Sequence, residues 1–309
     1  MIDPIPPDRF ERQMRHLARA YRPLPLPELL QRSREGTVPK GAVAVTFDDG
    51  YADNADHALP ILARHRIPAT IFLATGCIGT GRILWHDEVL LAFAGSDRCE
   101  IRLAGAPPEA PALPLRTEAE RHRAAFIALA ELKPLPEGER LARIRALQEE
   151  LGRGDSAISA SLMLDWDRVR AMRRAGVDFG SHTVTHPILS RVTPEREREE
   201  LIDSKHTLER ELGEEITLFA YPNGRPGDFS ERTVAALRAA GYGGAVTTIF
   251  GVNESGEDPL RCRRASAWMP DDLGFALQIA YYRLRGVGAV SPSMPDEAAY
   301  DSGVKREHE

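Results

Sequence analysis

Two acidic residues in adjacent positions are the first side chains of this sequence that could do chemistry. Asp48 and Asp49 follow an apolar run over residues 42–47, which is rich in β-branched residues and predicts a buried strand. Their carboxylates repel each other, so the pair costs stability unless a cation or a proton is close by. An Asx-type turn closed by Gly50 would explain the same residues structurally. The pair alone leaves both interpretations open.

Two histidines four residues apart form a second candidate group. His182 and His186 stand in the segment Gly-Ser-His-Thr-Val-Thr-His-Pro, after another predicted strand. In a strand they would lie about 13 Å apart, too far for two ligands that each need a bond of about 2.1 Å to one metal ion. A metal site therefore predicts that the strand ends before His182. Two polar histidines on a surface loop would give the same spacing.

Taken together, the two groups indicate more than either does alone. Two neutral imidazoles and the carboxylate of Asp49 would make a three-ligand metal site that leaves positions for water and substrate. Asp48 would then be free to act as a base. A divalent cation lowers the pKa of water from about 15.7 toward about 7 and polarises a carbonyl group. This combination suits hydrolysis of an acyl bond.

A turn after a further predicted strand is the third feature. Residues 219–224 read Phe-Ala-Tyr-Pro-Asn-Gly, and such a turn can aim backbone N–H groups at a developing oxyanion. Tyr221, Pro222 and Asn223 are therefore candidates for oxyanion or substrate contact. A turn with no function remains the alternative.

The elements that must position these residues alternate between strands and helices. Predicted strands cover residues 42–47, 69–73, 177–180, 217–221, 244–247 and 265–268. Predicted helices cover residues 8–21, 27–34, 55–66, 165–175, 194–212, 230–240 and 271–284. This alternation predicts parallel strands joined by right-handed crossovers, as in a barrel or a doubly wound sheet.

One stretch and one terminus depart from the alternation. Residues 76–165 contain no clear strand–helix pairs, and a charged block over 118–151 favours helix except near Pro134 and Pro136. We interpret 76–165 as an inserted helical subdomain within a single domain over 1–285. The composition of 286–309 predicts a disordered tail.

Composition excludes several classes of protein. The chain has 309 residues and a net charge of −6, with well-mixed charges that argue against a dedicated nucleic-acid binder. No apolar run approaches the roughly 18 residues of a membrane span. The three cysteines form no CxxC pair, which excludes a zinc finger or a disulfide scaffold. The N-terminal residues lack the apolar core of a signal peptide, so we expect a cytoplasmic protein, or an extracytoplasmic one if the sequence is trimmed.

The three motifs TFDDG, SHTVTHP and FAYPNG together resemble the polysaccharide deacetylases of carbohydrate esterase family four, the nodulation-type group. The resemblance covers roughly residues 40–75 and 160–270. It implies a distorted, incomplete (β/α)7 barrel in the α/β class. It also implies that Asp48 is the catalytic base and that Asp49, His182 and His186 bind a divalent metal, usually Zn²⁺ and sometimes Co²⁺ or Ni²⁺.

The sequence also departs from that family. The third motif usually carries an arginine that holds the catalytic aspartate, but Ala220 stands at that position, and Arg263 and Arg264 are candidates to replace it. The FAYPNG form resembles a bacterial subgroup tied to surface glycans. The late histidine that serves the family as general acid is not evident, since His308 in the tail is the only late one.

Trp85 and His86 open the insert and are candidates for the missing roles. Trp85 could stack on a sugar ring, and His86 could serve as the acid. A core tryptophan and a surface histidine are the structural alternatives.

The function expected from these residues is metal-dependent removal of acetyl groups, most simply N-acetyl groups, from a glycan or sugar precursor. Cyclic-imide or allantoin-type amidases share the barrel and its motifs and are a second hypothesis. A weakly active or inactive glycan-binding relative is a third. Neither the sugar nor the oligomeric state follows from the sequence.

Overall fold

A parallel six-stranded sheet forms the centre of the protein, in a computed structural model that describes residues 5–105, 107, 109, 111–152, 159, 161–254, 256–265 and 271–285. Its strands are Val45–Phe47 (β3), Ala69–Leu73 (β4), Asp178–Ser181 (β7), Leu218–Ala220 (β8), Gly244–Phe250 (β9) and Cys262–Arg264 (β10). Across the sheet they follow the order β10-β9-β8-β7-β4-β3. Two short strands, Arg22–Pro23 (β1) and Ala42–Val43 (β2), pair separately.

Helices connect these strands and cover the sheet. They are Pro7–Ala20 (α1), Leu26–Glu35 (α2), Leu59–His65 (α3), Trp85–Ala94 (α4), Glu118–Leu132 (α5), Glu137–Leu151 (α6), Trp166–Arg174 (α7), Pro194–Leu212 (α8), Glu231–Ala239 (α9) and Asp272–Arg285 (α10). Asp165 and Thr193 cap α7 and α8, because each side chain accepts the N–H of the third helical residue. None of the helices described here is both long enough and apolar enough to span a bilayer.

The sheet curls into a half-barrel, which confirms the expected α/β fold. Every residue of β4 is buried, as is typical of a strand covered on both faces by parallel crossovers. All neighbouring pairs in this sheet are parallel. Consequently the carboxyl ends of β3, β7 and β8, where the three motifs lie, meet at one edge.

The interruption between β4 and α7 contains α4, α5, α6 and a small antiparallel pair, Glu100–Ile101 (β5) with Leu113–Pro114 (β6). The break near the two prolines separates α5 from α6, as predicted. These elements share a hydrophobic cluster that includes Val89, Phe93, Ala125 and Ile144, all buried.

Some predicted elements differ from the observed ones. The run 42–47 is split between β2 and β3, and the helix predicted over 55–66 begins with a π-helical turn at Asn54–Ala58. The last strand lies at Cys262–Arg264, ahead of the predicted 265–268. Residues 266–268 and the predicted tail over 286–309 lie outside the described residues.

Candidate active site

Asp49, His182 and His186 converge at the carboxyl edge of the sheet. Asp49 Oδ1 lies 3.4 Å from His182 Nε2 and 3.4 Å from His186 Nε2. One ligand atom from each residue lies within 4.8 Å of the others. Two ligands that each lie about 2.1 Å from a tetrahedral zinc ion are about 3.4 Å apart, so this spacing fits one ion. The strand β7 ends at Ser181, as a shared metal site requires.

The end of β4 holds both halves of this group in register. The N–H of Ala74 donates to the Asp49 carbonyl, and the N–H of His182 donates to the Leu73 carbonyl. Asp49 and His186 adopt positive φ angles of 75° and 57°. Side chains other than glycine rarely adopt this conformation, and it costs free energy that the surroundings must offset.

Hydrogen bonds fix the ring of His182 and the backbone of His186. His182 Nδ1 lies 2.8 Å from the Ala220 carbonyl, so Nδ1 carries a proton and Nε2 is the ring nitrogen that faces the cluster. The Trp85 indole Nε1 donates to the His186 carbonyl at 3.2 Å. Asp49 Oδ1 and His186 Nδ1 are buried without a hydrogen-bond partner among the described residues. A bound cation would give the Asp49 oxygen a partner, and the three side chains together fit a metal ion.

Burial and the neighbouring charges act differently on the three residues. Burial would lower the pKa of His182, but its contact with Asp49 and the charges of Asp48 and Asp49 raise that pKa. Burial alone would raise the pKa of Asp49, but the His182 contact lowers it well below its usual range. Burial, together with the neighbouring histidines, lowers the pKa of His186. Asp49 is therefore ionised and His186 neutral at neutral pH.

Arg264, on the opposite edge strand of the sheet, holds Asp48. Its guanidinium donates to Asp48 Oδ1 at 2.8 Å and to Oδ2 at 2.6 Å. It also donates to Thr46 Oγ1 at 3.2 Å and to the Thr247 carbonyl at 2.6 Å. Because β3 and β10 are the two edge strands, this side chain bridges the seam of the half-barrel. Arg263 points away, toward Glu257 at 3.1 Å.

His86 lies beside the cluster, at the start of α4. Its ring centroid is 5.3 Å from that of His186. Its Nε2 is 3.2 Å from the hydroxyl of Tyr51, which in turn donates to Asp87 Oδ2 at 2.9 Å. Burial raises the pKa of Asp87 and, with the nearby carboxylates, that of Tyr51. Tyr51 therefore stays a neutral donor.

The turn after β8 contains a buried hydrogen-bond donor, the side-chain amide of Asn223, that has no acceptor among the described residues. Asn223 and Gly224 have φ angles of 59° and 66°. A Cβ at Gly224 would come within 2.8 Å of the Thr248 nitrogen, so this position requires glycine. Asn223 Nδ2 is buried with no partner among the described residues.

The Polysaccharide deacetylase family model matches residues 35–245, more than half of the chain. The chain belongs to the polysaccharide deacetylase family. It is 23% identical over 246 residues to the provisionally named polysaccharide deacetylase YxkH of Bacillus subtilis, covering 79% of this chain and 58% of that protein. It is 38% identical over 72 residues to the poly-beta-1,6-N-acetyl-D-glucosamine N-deacetylase of Staphylococcus aureus, covering 23% of this chain and 25% of that protein.

A solved structure shares the fold. The structure of IcaB from Ammonifex degensii has a TM-score of 0.56 and 18% identity, and the match covers 90% of this chain and 88% of that one. The matches to the B. subtilis and S. aureus proteins, by contrast, span less than two thirds of the length of those proteins. The likeness to IcaB concerns the fold.

Two predicted substrate contacts of this polysaccharide deacetylase family member are corrected by burial. Trp85 is 8% exposed and Tyr221 is fully buried, so neither ring is open to a sugar. Tyr221 stacks on Phe229 and donates to the Leu260 carbonyl at 2.7 Å. Apolar packing holds both rings, and their N–H or O–H reaches a carbonyl inside the protein. Pro222 is buried too, and its carbonyl accepts from the Gly224 N–H at 2.7 Å.

Proposed function

We propose that this chain hydrolyses acetamide groups of a glycan or sugar precursor, with a divalent metal ion as cofactor. One observation carries the proposal. A carboxylate that is fixed by a guanidinium, Asp48, stands next to a three-ligand set of Asp49, His182 and His186. A base beside a metal site with open coordination positions is what hydrolysis of an unactivated amide requires.

Asp49, His182 and His186 would hold the metal, most simply Zn²⁺, with Co²⁺ or Ni²⁺ as alternatives. When bound, the cation supplies Lewis acidity toward the acyl oxygen and acidifies water. The residues provide two imidazole nitrogens and one carboxylate, the ligand types that Zn²⁺ favours in catalytic sites.

The other side chains divide the proton transfers. Asp48 accepts a proton from the attacking water, and Arg264 keeps both of its oxygens oriented while it does so. The Asn223 turn supplies N–H donors for the developing oxyanion. His86 donates a proton to the departing amine, and the Tyr51 hydroxyl orients its ring. Acetate and a free amine are the products.

The substrate class is proposed from the family and from a named relative. The S. aureus protein is named for poly-beta-1,6-N-acetyl-D-glucosamine, and an N-acetylated hexosamine chain of that kind fits the proposed amide chemistry. The amidase alternative and an inactive glycan-binding relative predict no acetate release from such a glycan, and a weakly active relative predicts only slow release.

Acetate release tests the proposal directly. We expect zinc-loaded protein to release acetate from N-acetylated glucosamine oligomers. Asp48→Asn and His86→Asn should each lower kcat by about 10²–10⁴-fold, the usual contribution of general acid–base catalysis. Asp56→Asn is the matched control, since that exposed carboxylate pairs with Arg168 on the surface. No release by the wild type with metal bound, or equal loss in the control, would contradict the proposal.

A further inference from the structure

The loop that carries the two histidines contains two residues in an unfavourable backbone conformation. Thr183 and His186 both have positive φ angles, 69° and 57°. Such conformations persist only where surrounding contacts enforce them. Some group outside the three ligands must therefore fix this loop.

Glu200 on α8 makes several of those contacts, beside two backbone bonds in which the N–H groups of Thr75 and Gly76 donate to loop carbonyls. Its Oε2 accepts the backbone N–H of Val184 at 2.6 Å and that of Thr185 at 2.9 Å. Its Oε1 accepts the Thr185 hydroxyl at 2.5 Å. The side chain is fully buried. A buried carboxylate is strongly destabilising unless its oxygens are paired, so these bonds are strong restraints on the loop.

A salt bridge anchors Glu200 and joins it to the inserted helices. Arg196 lies 2.5 Å from Glu200 Oε1, one turn earlier on α8. The same guanidinium lies 3.8 Å from Glu137, the first residue of α6. The same guanidinium donates to the Thr185 hydroxyl at 3.3 Å, so Arg196 holds Glu200 Oε1 and the loop together.

We propose that Glu200 is a positioning residue that holds the loop of residues 183–186 in the conformation in which His186 and His182 share a metal ion. The inference rests on the proposed metal site. It adds a group that none of the three motifs contains, and it gives the insert a role through Arg196.

Glutamine in place of Glu200 cannot satisfy the same partners. The two backbone N–H groups meet one carboxylate oxygen, and the Thr185 hydroxyl and Arg196 meet the other. An amide has only one acceptor oxygen, so in either orientation its NH₂ faces donors. The loop should then relax away from its positive φ angles, and His186 should move with it.

Zinc affinity is the decisive measurement. We expect Glu200→Gln to weaken zinc binding by about 10–100-fold, as is usual when a group that orients a ligand is lost. At saturating zinc, its KM should match the wild type. Glu199→Gln is the matched control, because Glu199 also pairs with Arg196, at 3.5 Å, but is 60% exposed. Affinities would be measured by competition with a chromogenic chelator on the full chain.

Other outcomes decide against the inference in distinct ways. Wild-type zinc affinity in Glu200→Gln with a lower melting temperature would make Glu200 merely structural. A wild type that binds zinc but releases no acetate would refute the proposed function and leave this inference standing, whereas a wild type that binds no metal would overturn both. If Glu200→Gln does not fold, Thr185→Val decides: a loss of about 2–10-fold in zinc affinity supports the inference, and no change overturns it.

Discussion

Replacement of Arg264 by lysine should separate the orientation of Asp48 from its charge. Lysine keeps a positive charge near the carboxylate but cannot donate to both oxygens at once. It also loses the Nε donor to the Thr247 carbonyl. One oxygen of Asp48 would then be released, and the carboxylate could rotate away from the position in which it accepts a proton.

The size of the effect follows from the bonds that are lost. The two side chains are 19% and 24% exposed, so the pair is largely shielded from water. A hydrogen bond to a charged group contributes about 1.5–3 kcal/mol. If one such bond is lost from the transition state, kcat falls by about 10- to 150-fold, since about 1.4 kcal/mol corresponds to a factor of ten. Zinc affinity should not change, because Asp48 is not among the three proposed ligands.

The assay is the rate of acetate release at saturating zinc, with zinc affinity measured on the same samples. Arg263→Lys is the matched control, since this neighbour on β10 contacts Glu257 and the Val252 carbonyl instead of Asp48. A kcat for Arg264→Lys within twofold of the wild type would refute the reasoning. An equal loss in Arg263→Lys would point to general damage of the last strand.

Two further predictions test the site and the burial pattern. His182→Ala should abolish stoichiometric zinc in elemental analysis, whereas His206→Ala, on the exposed side of α8, should not; unchanged zinc in the first variant would place the site elsewhere. Of the three thiols, only Cys99 is exposed, and burial raises the pKa of Cys77 and of Cys262 to about 12. We therefore expect one thiol per native chain to react with a disulfide reagent at pH 8, and three after unfolding.

The strands of the fold could be predicted because their sequences are locally distinctive. The run at 69–73 is apolar and bounded by turn residues, and β4 occupies the same residues. The prediction that β7 ends before His182 depended on the metal-site interpretation, since two histidines within one strand lie too far apart to share an ion. By contrast, β10 was misplaced because Cys-Arg-Arg is polar. This strand is polar because Arg264 contacts Asp48, which follows the other edge strand of the sheet and is far away in the sequence.

Glu200 is a second residue whose role the sequence could not predict. In the sequence of α8 it is one of several acidic residues on a charged helix, which is typical of a solvent-exposed face. Only the fold shows that Glu199 is exposed while its neighbour is buried against the histidine loop. Trp85 is the converse case: next to a candidate histidine it suggested a sugar platform, but the packing of α4 buries it.

The Arg264 guanidinium links the proposed catalytic base to the contact between the two edge strands of the sheet. The family resemblance implies an arginine at the end of the strand that is β8 here; this chain has Ala220 there, and its carbonyl accepts from His182. The replacement, Arg264, comes from β10, beyond the end of the family match at residue 245. Because one side chain both bridges β3 to β10 and orients Asp48, loosening the seam must also disorder the base. The last strand is therefore part of the proposed active site, although it carries none of its motifs.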